Sequence, residues 1–383
     1  MASYYDRLRK VNLFKGLDWP LVTAAILLSV FGLVTMNSFQ GDSVLFQKQL
    51  LWLTLSVLVM FGVSMLDARL LYRTSVIIGL YSFTLFLLAA VPFFGAVALG
   101  AQRRFDFGLF AFQPSDLAQL VLILVLAKYF ARRHMQIGHF KHVLVSGAYA
   151  FLIFFLIFIQ PDFSSAVIVF GVWFGMVLVA GISRTHLLAV FLSGALALFA
   201  LWFFVLADYQ KTRIVSFLHP LADIQGAGYN AYQSTIAVGS GGLFGKGIGY
   251  GSQSKLEFLP EYQTDFIFAA FAEEWGFVGV VLMLILFGVL FWRIISHALL
   301  GVSNFETLVC AGVALWFLIH IVIHAGMNVG LLPVTGATIP FLSYGGSHLL
   351  TKFAALGLVL SMSRYERSVR KEKLDNELEG FGS

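Results

Sequence analysis

The chain is poor in charged residues and in proline, and it has a single cysteine. Only 12% of its 383 residues are charged, against about 25% in a typical soluble domain. This deficit excludes an ordinary soluble enzyme and an intrinsically disordered protein. Cys310 is the only cysteine, so an intramolecular disulfide and a CxxC metal site are excluded as well.

Apolar residues fill the space that charge leaves. They make up 59% of the chain, with 40 phenylalanines, and they form continuous runs long enough to cross a bilayer as helices. The alternation that a membrane β-barrel requires is missing. The sequence therefore predicts an all-α polytopic membrane protein, a single domain over 1–383 with about ten transmembrane helices. The predicted spans are 18–38, 44–66, 70–92, 116–131, 143–160, 164–182, 187–206, 265–293, 306–327 and 347–363.

Lysine and arginine set the predicted orientation. Most of the 25 basic residues fall on the side of the N-terminus, which the positive-inside rule makes cytoplasmic. Both termini are then cytoplasmic, with a basic tail at about 364–383. The longest connection, about 207–264, becomes a large outer loop between spans 7 and 8. Two smaller outer loops, 93–115 and 328–346, share its face, so we expect a polar site at the outer surface.

Asp265 is the first candidate for chemistry, since it lies where the large outer loop enters an apolar span. Partial desolvation at that depth favours a general base, but a carboxylate or Thr264 at a helix start is also typical of capping. Glu273 and Glu274 follow in the same span. Ionisable residues inside a membrane indicate either a functional site or an internal polar network that holds helices together.

Four further patterns have both a functional and a structural interpretation. Lys48 and Asp162 lie at the outer ends of two spans and predict a structural ion pair. The glycine-rich stretch 239–247 around Lys246 suits phosphate binding or a flexible turn, and it lacks the Walker A pattern. The segment 343–347 could line a cavity or simply begin a helix. His320 and His324, four residues apart, could bind a metal, although no third ligand is evident.

These segments together resemble the SEDS family (shape, elongation, division and sporulation), which includes RodA and FtsW. The matching stretches occur in the order of that family and cover nearly the whole chain. Within the family, GAGY, GSGG, GKG and QSKLEFLPE are closest to RodA. The matches are GAQRR (100–104), QPSDLAQL (113–120), QPDFSSA (160–166), the segment 226–279 with its TDFIF motif, and NVGLLPVTGATIPFLSYGGS (328–347).

The resemblance implies a peptidoglycan glycosyltransferase that joins lipid II units into β-1,4 glycan strands at the outer face of the bacterial cytoplasmic membrane. Undecaprenyl pyrophosphate leaves with inversion at C1 of MurNAc. The essential aspartate of the TDFIF motif falls on Asp265, the implied catalytic base. Charge on the leaving group would be stabilised by a nearby cation or by divalent Mg or Mn; no cofactor is certain. The implied substrate-binding residues are Arg103, Gln113, Ser115, Asp116, Arg213, Lys246, Gln253, Thr264, Ser343, Gly345 and Ser347.

The sequence also departs from the family pattern. The family usually has QPSELAKL, whereas here Asp116 replaces Glu and Gln119 replaces Lys, which removes a cation. The segment SYGGSH carries His348, and Lys48 stands where Arg is commoner.

The resemblance further implies partners and leaves two other functions open. The expected partner is a class B penicillin-binding protein, a transpeptidase, alongside other elongation or division proteins. A lipid II flippase and a non-catalytic scaffold of the elongation or division machinery are the alternatives. A role in cell elongation and rod shape is favoured over division.

Overall fold

A computed structural model of the chain describes residues 17–38, 43–98, 101–108, 111–133, 140–204, 227–256, 258–259 and 261–380, with positions 211, 215 and 217. Within these residues the chain is mostly helical, which confirms the predicted all-α class. The helices are α1 (Trp19–Ser38), α2 (Ser43–Met65), a 3-10 turn (Ala68–Tyr72), α3 (Thr74–Phe94), α4 (Pro114–Ala131), α5 (Phe140–Ile159), α6 (Phe163–Ala180), α7 (Arg184–Phe204), α8 (Ala227–Ser240), α9 (Ser252–Lys255), α10 (Ile267–Leu300), α11 (Asn304–Asn328) and α12 (Gly346–Gly380).

Eight helices among the described residues are long and apolar enough to cross a membrane: α1 to α6, α10 and α11. The helix α7 contains a shorter apolar stretch, Thr185–Leu196. The helix α12 covers the predicted last span and runs on to Gly380 through the basic tail. Each predicted span thus coincides with one long helix, and the count of ten crossings stays a prediction.

The helices pack around a buried core. The helix α12 lies along α2, and α10 lies against α1 and α11. Three aromatic rings join α11 to α12: Phe317 meets Phe341 with centroids 5.4 Å apart, and Phe341 meets Phe353 at 5.3 Å. Many large apolar side chains of the bundle point outward, as a lipid-facing surface requires.

The second predicted outer loop forms a small antiparallel sheet. Its strands are β1 (Ala96–Ala98), β2 (Ala101–Asp106) and β3 (Ala111–Phe112), in the order β1-β2-β3. The sequence analysis predicted only a loop at 93–115, because these strands are too short for an alternating pattern to stand out. Pro114 ends the sheet and begins α4, since proline is favoured in the first helical turn.

The large outer loop also contains regular structure, namely α8 and α9. After it, α10 is interrupted at Gly276, whose φ of 66° and ψ of −167° are not helical. The first part of α10, up to Trp275, is therefore a separate short helix at the end of the spanning segment. The turn 261–266, which precedes this short helix, therefore lies at one end of the bundle.

Candidate active site

A cavity of about 830 Å³ lies at the end of the bundle where α4, α6, α10 and α12 begin. Its wall combines these four helix starts with one side of α2, the strand β2 and the segment 334–338. Nine of the predicted site residues line it: Lys48, Arg103, Gln113, Asp116, Asp162, Thr264, Asp265, Gly345 and Ser347. The sequence segments that carried the resemblance therefore meet around one space.

Asp265 lies in the turn 261–266 that precedes α10 and is half-buried. Phe266, not Asp265, occupies the position before the first helical residue, and no side-chain hydrogen bond caps this helix start. The capping interpretation of Asp265 and Thr264 thus finds no support in the geometry. Opposite the carboxylate lies Gly336, with a positive φ of 81°. The positive φ favours glycine, and a Cβ atom at position 336 would make a tight contact of 3.3 Å with Oδ2 of Asp265.

Asn328, at the end of α11, fixes the backbone around Asp265. Its Nδ2 donates to the carbonyl oxygen of Asp265 at 3.0 Å, and its Oδ1 accepts from the N–H of Ala269 at 3.2 Å. The hydroxyl of Ser234 on α8 donates to the main-chain oxygen of Asn328 at 2.8 Å. Asn328 is fully buried and therefore positions the aspartate. Asn328 belongs to the motif at 328–347, and its residue type alone predicted no role for it.

Ser343 and its neighbours hold the same turn from the other side. The hydroxyl of Ser343 donates to the carbonyl of Thr264 at 2.9 Å and accepts from the N–H of Ile339 at 3.0 Å. The N–H of Tyr344 donates to Gln263 O at 2.8 Å. Ser343 is completely buried and does not line the cavity. Its geometry indicates a positioning residue, in contrast to the predicted substrate contact.

Asp162 caps α6 and accepts hydrogen bonds from neutral groups. Its Oδ1 accepts from the Ser164 hydroxyl at 3.0 Å and from the Ser165 N–H at 3.2 Å, and its Oδ2 accepts from Nε2 of Gln113 at 3.1 Å. Ser115 lies behind this group, with its hydroxyl 2.9 Å from Nε2 of Gln113.

The predicted Lys48–Asp162 ion pair is wrong in this geometry. Within the described part of the chain, no ion pair joins these two residues. Both line the cavity, and Lys48 is exposed. Because Asp162 is already satisfied by serine and amide donors, the charge of Lys48 is available to the cavity.

The glycine-rich stretch, here the glycine loop (239–251), wraps around the break in α10. The N–H groups of Lys246 and Gly247 donate to the carbonyls of Glu273 and Glu274 at 2.9 and 3.0 Å. A Cβ on Gly276 would lie 2.1 Å from the nitrogen of Gly245. These glycines thus allow two backbones to touch, which neither the phosphate-binding nor the flexible-turn interpretation predicts.

Lys246 and the main-chain N–H of Gln253 bind the carboxylate of Glu273, and neither residue lines the cavity. Nζ of Lys246 lies 2.7 Å from Oε1 of Glu273, and the Gln253 N–H donates to the same oxygen at 3.1 Å. Glu273 is fully buried, so it needs this cation. The polar-network interpretation of Glu273 is therefore favoured, and the predicted substrate-binding role of Lys246 and Gln253 is not. Arg213 lies outside the described residues.

The floor of the cavity contains a cluster of buried polar side chains that the sequence analysis missed. Nζ of Lys352 lies 2.9 Å from Nε2 of His320, and Oε1 of Gln119 lies 3.1 Å from the same nitrogen. His348 meets Asp116 at 3.5 Å. Lys352 on α12 therefore places a cation beside the same histidine that Gln119 contacts from α4.

The two histidines of α11 bind backbone. Because carbonyl oxygens only accept, Nδ1 of His320 donates to Thr338 O at 2.9 Å and Nδ1 of His324 donates to Ala337 O at 2.6 Å. Among the described residues, no group of three or more His, Cys, Asp or Glu side chains could hold a metal ion. The histidines thus hold the segment 336–338 that faces Asp265.

Arginines supply the positive charge of the wall. Arg103 and Arg104, on β2, both line the cavity. Nε of Arg103 is buried and has no hydrogen-bond partner in the described part of the chain. Burial raises the pKa of Tyr344, and the nearby Arg104 charge opposes that rise. The cavity therefore combines the half-buried carboxylate of Asp265 with three cations, Lys48 and the two arginines, and four further carboxylates also line it: Asp106, Asp116, Asp162 and Glu261.

A comparison with known protein families gives a match over most of the chain. The family model described as a cell cycle protein, which groups FtsW, RodA and SpoVE, matches residues 17–368. The chain belongs to this family. It is the SEDS family that the motifs indicate, and membership together with the eight apolar helices makes the chain a multi-pass protein of the bacterial inner membrane.

Relatives within the SEDS family carry different names. Stage V sporulation protein E of Bacillus subtilis (strain 168) is 37% identical over 91% of this chain and 98% of that protein. Peptidoglycan glycosyltransferase MrdB of Escherichia coli (strain K12) is 39% identical over 76% of this chain and 79% of that protein.

Solved structures of SEDS proteins have the same fold. The rod shape determining protein RodA of Thermus thermophilus is 32% identical, with a TM-score of 0.69 over 92% of this chain and 98% of that one. A chain from a peptidoglycan synthase complex that coordinates polymerization and crosslinking is 32% identical, with a TM-score of 0.78 over 91% of this chain and 98% of its own length.

Proposed function

We propose that this SEDS protein is a peptidoglycan glycosyltransferase that polymerises lipid II at the outer face of the inner membrane. Asp265 carries the proposal: its half-buried carboxylate opens into a cavity of about 830 Å³ together with Lys48, Arg103 and Arg104. The names of relatives such as MrdB support the same activity.

Asp265 acts as the general base. It removes the proton from the GlcNAc 4-hydroxyl of one substrate, while that oxygen attacks C1 of MurNAc in the other. The bond from C1 to the lipid-linked pyrophosphate breaks with inversion, so that an α-linkage becomes β-1,4. Asn328 holds the main-chain carbonyl of Asp265, and Gly336 faces its carboxylate, so the residue is positioned as catalysis requires.

Three cations of the cavity wall stabilise the leaving group. Pyrophosphate departs as an anion and needs positive charge more than a proton. Arg103, with its unpartnered Nε, and Arg104 and Lys48 supply that charge in our proposal. Lys246 is excluded from this role because it neutralises Glu273. No step is assigned to Mg or Mn, for which the described residues offer no three-ligand group.

A transpeptidase completes the assignment. We propose that the chain works with a class B penicillin-binding protein in cell elongation, since a similar SEDS chain belongs to a complex that couples polymerization to crosslinking. Other elongation or division proteins would join this pair.

Purified protein tests the activity directly. Lipid II is added in liposomes, with and without a cognate penicillin-binding protein whose transpeptidase site is inactivated, and glycan products are separated on a gel. Asp265→Asn is compared at equal expression and thermal stability. We expect polymer from the wild type and none from the variant. Absence of polymer from every wild-type preparation would favour the flippase or scaffold function, and lipid II translocation would then be measured.

A further inference from the structure

A second cavity, of about 760 Å³, lies at the opposite end of α4 from Asp265. It opens between the start of α3, the end of α4 and the start of α5. Its rim carries Lys128, Arg132, Arg133 and Lys141, and we call it the basic pocket. Asp116 of the active-site cavity and Lys128 are twelve residues apart on α4, which corresponds to about 18 Å. The two cavities are therefore separate.

Three of the four cations of the basic pocket contact neutral groups. Nζ of Lys128 donates to the carbonyl of Tyr72 at 2.5 Å, and Arg132 donates to the Thr74 hydroxyl at 2.6 Å. The Arg133 guanidinium stacks 4.6 Å from the ring centre of Tyr129. No ion pair joins any of the four to an Asp or Glu within the described ranges. The side chains are thus ordered while their positive charge stays uncompensated.

The inner part of the basic pocket is apolar and aromatic. Ile77, Ile78, Val125 and Val145 line it one to two turns from the rim, together with tyrosines. Tyr81, inside it, donates to the carbonyl of Tyr149 at 2.8 Å. Such an amphipathic layout suits a molecule with an anionic head and an apolar body. A polar anion alone would leave the apolar wall unused.

We propose that the basic pocket binds a phosphate-bearing anion, and that the phosphate is the headgroup of an anionic phospholipid. Arginine and lysine recognise phosphate oxygens by charge-assisted hydrogen bonds. Basic pockets between transmembrane helices on the cytoplasmic side are sites for such headgroups. In the predicted orientation, the ends of α3, α4 and α5 lie on that side. Scattered cations satisfy the positive-inside rule equally well, but here three helices direct them into one cavity.

Lipid binding to the full-length protein tests the site without reference to its enzymatic activity. The protein is titrated with phosphatidylglycerol in detergent, and bound lipid is counted by native mass spectrometry. The variant is Arg132→Gln with Arg133→Gln. Its matched control is Arg69→Gln with Arg364→Gln, which removes the same charge from the same end of the bundle. A third protein, with lysine at both 132 and 133, keeps the charge.

We expect one tightly held phosphatidylglycerol on the wild type and on the control. Binding to the glutamine variant should be about 30-fold weaker, since each cation near an anionic lipid contributes roughly a fivefold factor. The lysine variant should keep most of the affinity. Equal binding by the glutamine variant and the control would overturn the proposal.

Two further probes separate the sources of phosphate. Zwitterionic phosphatidylcholine should not replace phosphatidylglycerol, and inorganic phosphate at millimolar concentration should compete only weakly. Full competition by inorganic phosphate would keep the anion site but assign it to a soluble phosphate compound. Equal retention of phosphatidylcholine in all proteins would show binding through acyl chains alone and would contradict the site.

Discussion

The space available to the Asp265 carboxylate depends on the absence of a side chain at position 336. Gly336 has no side chain, and its backbone has a positive φ of 81° that other residues adopt only under strain. The surroundings of Asp265 therefore depend on the missing side chain at position 336 as well as on the groups that contact the residue.

Gly336→Ala should abolish most glycan polymerisation while the protein remains folded. The new methyl group would press on Oδ2 of Asp265 at 3.3 Å and add roughly 1–2 kcal/mol of backbone strain. We expect at least a tenfold lower rate in the lipid II assay and a modestly lower thermal midpoint. Gly79→Ala, in α3 with open space around it, is the control and should be fully active. An unchanged rate for Gly336→Ala would contradict the close approach.

A second prediction concerns the cation that Lys352 places beside His320. Nζ of Lys352 contacts His320 and lies 3.1 Å from the centre of the Trp316 ring. Lys352→Met should lower polymerisation at least tenfold. Adding Gln119→Lys to that variant returns a cation to His320 from α4 and should recover part of the rate. A folded double variant with no recovery would show that the position of the charge, and not merely its presence, is what matters.

Between elements, the glycine loop and α10 form one unit. Its main-chain bonds and the Lys246–Glu273 pair join segments about 27 residues apart in the chain. The turn that carries Asp265 lies between them, so the loop supports the active site without lining it.

Lys246→Met should destabilise the protein by about 3–5 kcal/mol, because it leaves the buried carboxylate of Glu273 without a cation. Adding Glu273→Gln removes that charge and should restore much of the thermal stability and of the polymerisation rate. A phosphate-binding Lys246 predicts the reverse for activity: the double variant would be stable and still inactive. Thermal unfolding and the lipid II assay, performed on the same preparations, distinguish the two.

Sequence reasoning predicted the helices well and their side-chain partners poorly. Continuous apolar runs mark the helices, because a bilayer demands both length and hydrophobicity. The strands at 96–112 lie in a short connection that has no such demand. The Lys246–Glu273 and Lys352–His320 contacts join residues that are distant in the sequence. Only the tertiary structure therefore shows them. The prediction of Asp265 as a site residue came from the family motifs, since residue type alone favoured capping.

At the scale of the whole molecule, Asp18 connects the start of α1 to the last turns of α10. Its carboxylate accepts from Arg293 at 2.7 Å and pairs with His297 at 2.6 Å. Burial raises its pKa, but hydrogen bonds from His297 and Arg293 and their charges prevail and lower it to about 2. The depressed pKa means that ionised Asp18 stabilises the folded state.

This stabilisation should depend on pH in a defined window. It is fully present above the unfolded pKa near 4 and is lost as the pH falls toward 2. Asp18→Asn should therefore lower stability at pH 7 by about 2 kcal/mol. The difference in thermal midpoint between variant and wild type should stay constant from pH 7 to 5 and shrink below pH 4. Asp67→Asn, at an exposed pair, should show a negligible difference throughout. A gap that is undiminished at pH 2 would argue against the ion-pair origin.

The contact between α2 and the segment 336–345 determines when, during synthesis, the active site can be complete. The N–H of Gly345 donates to Oε1 of Gln49, which lies 296 positions earlier in the chain, and Ser343 and Gly336 reach the Asp265 turn from the same late segment. At roughly 5–20 residues per second of synthesis, α2 waits about 15–60 s in the membrane for its partner. A chain truncated before residue 336 contains Asp265 but no finished site around it. Premature termination therefore yields a product that cannot draw on the pool of lipid-linked precursor.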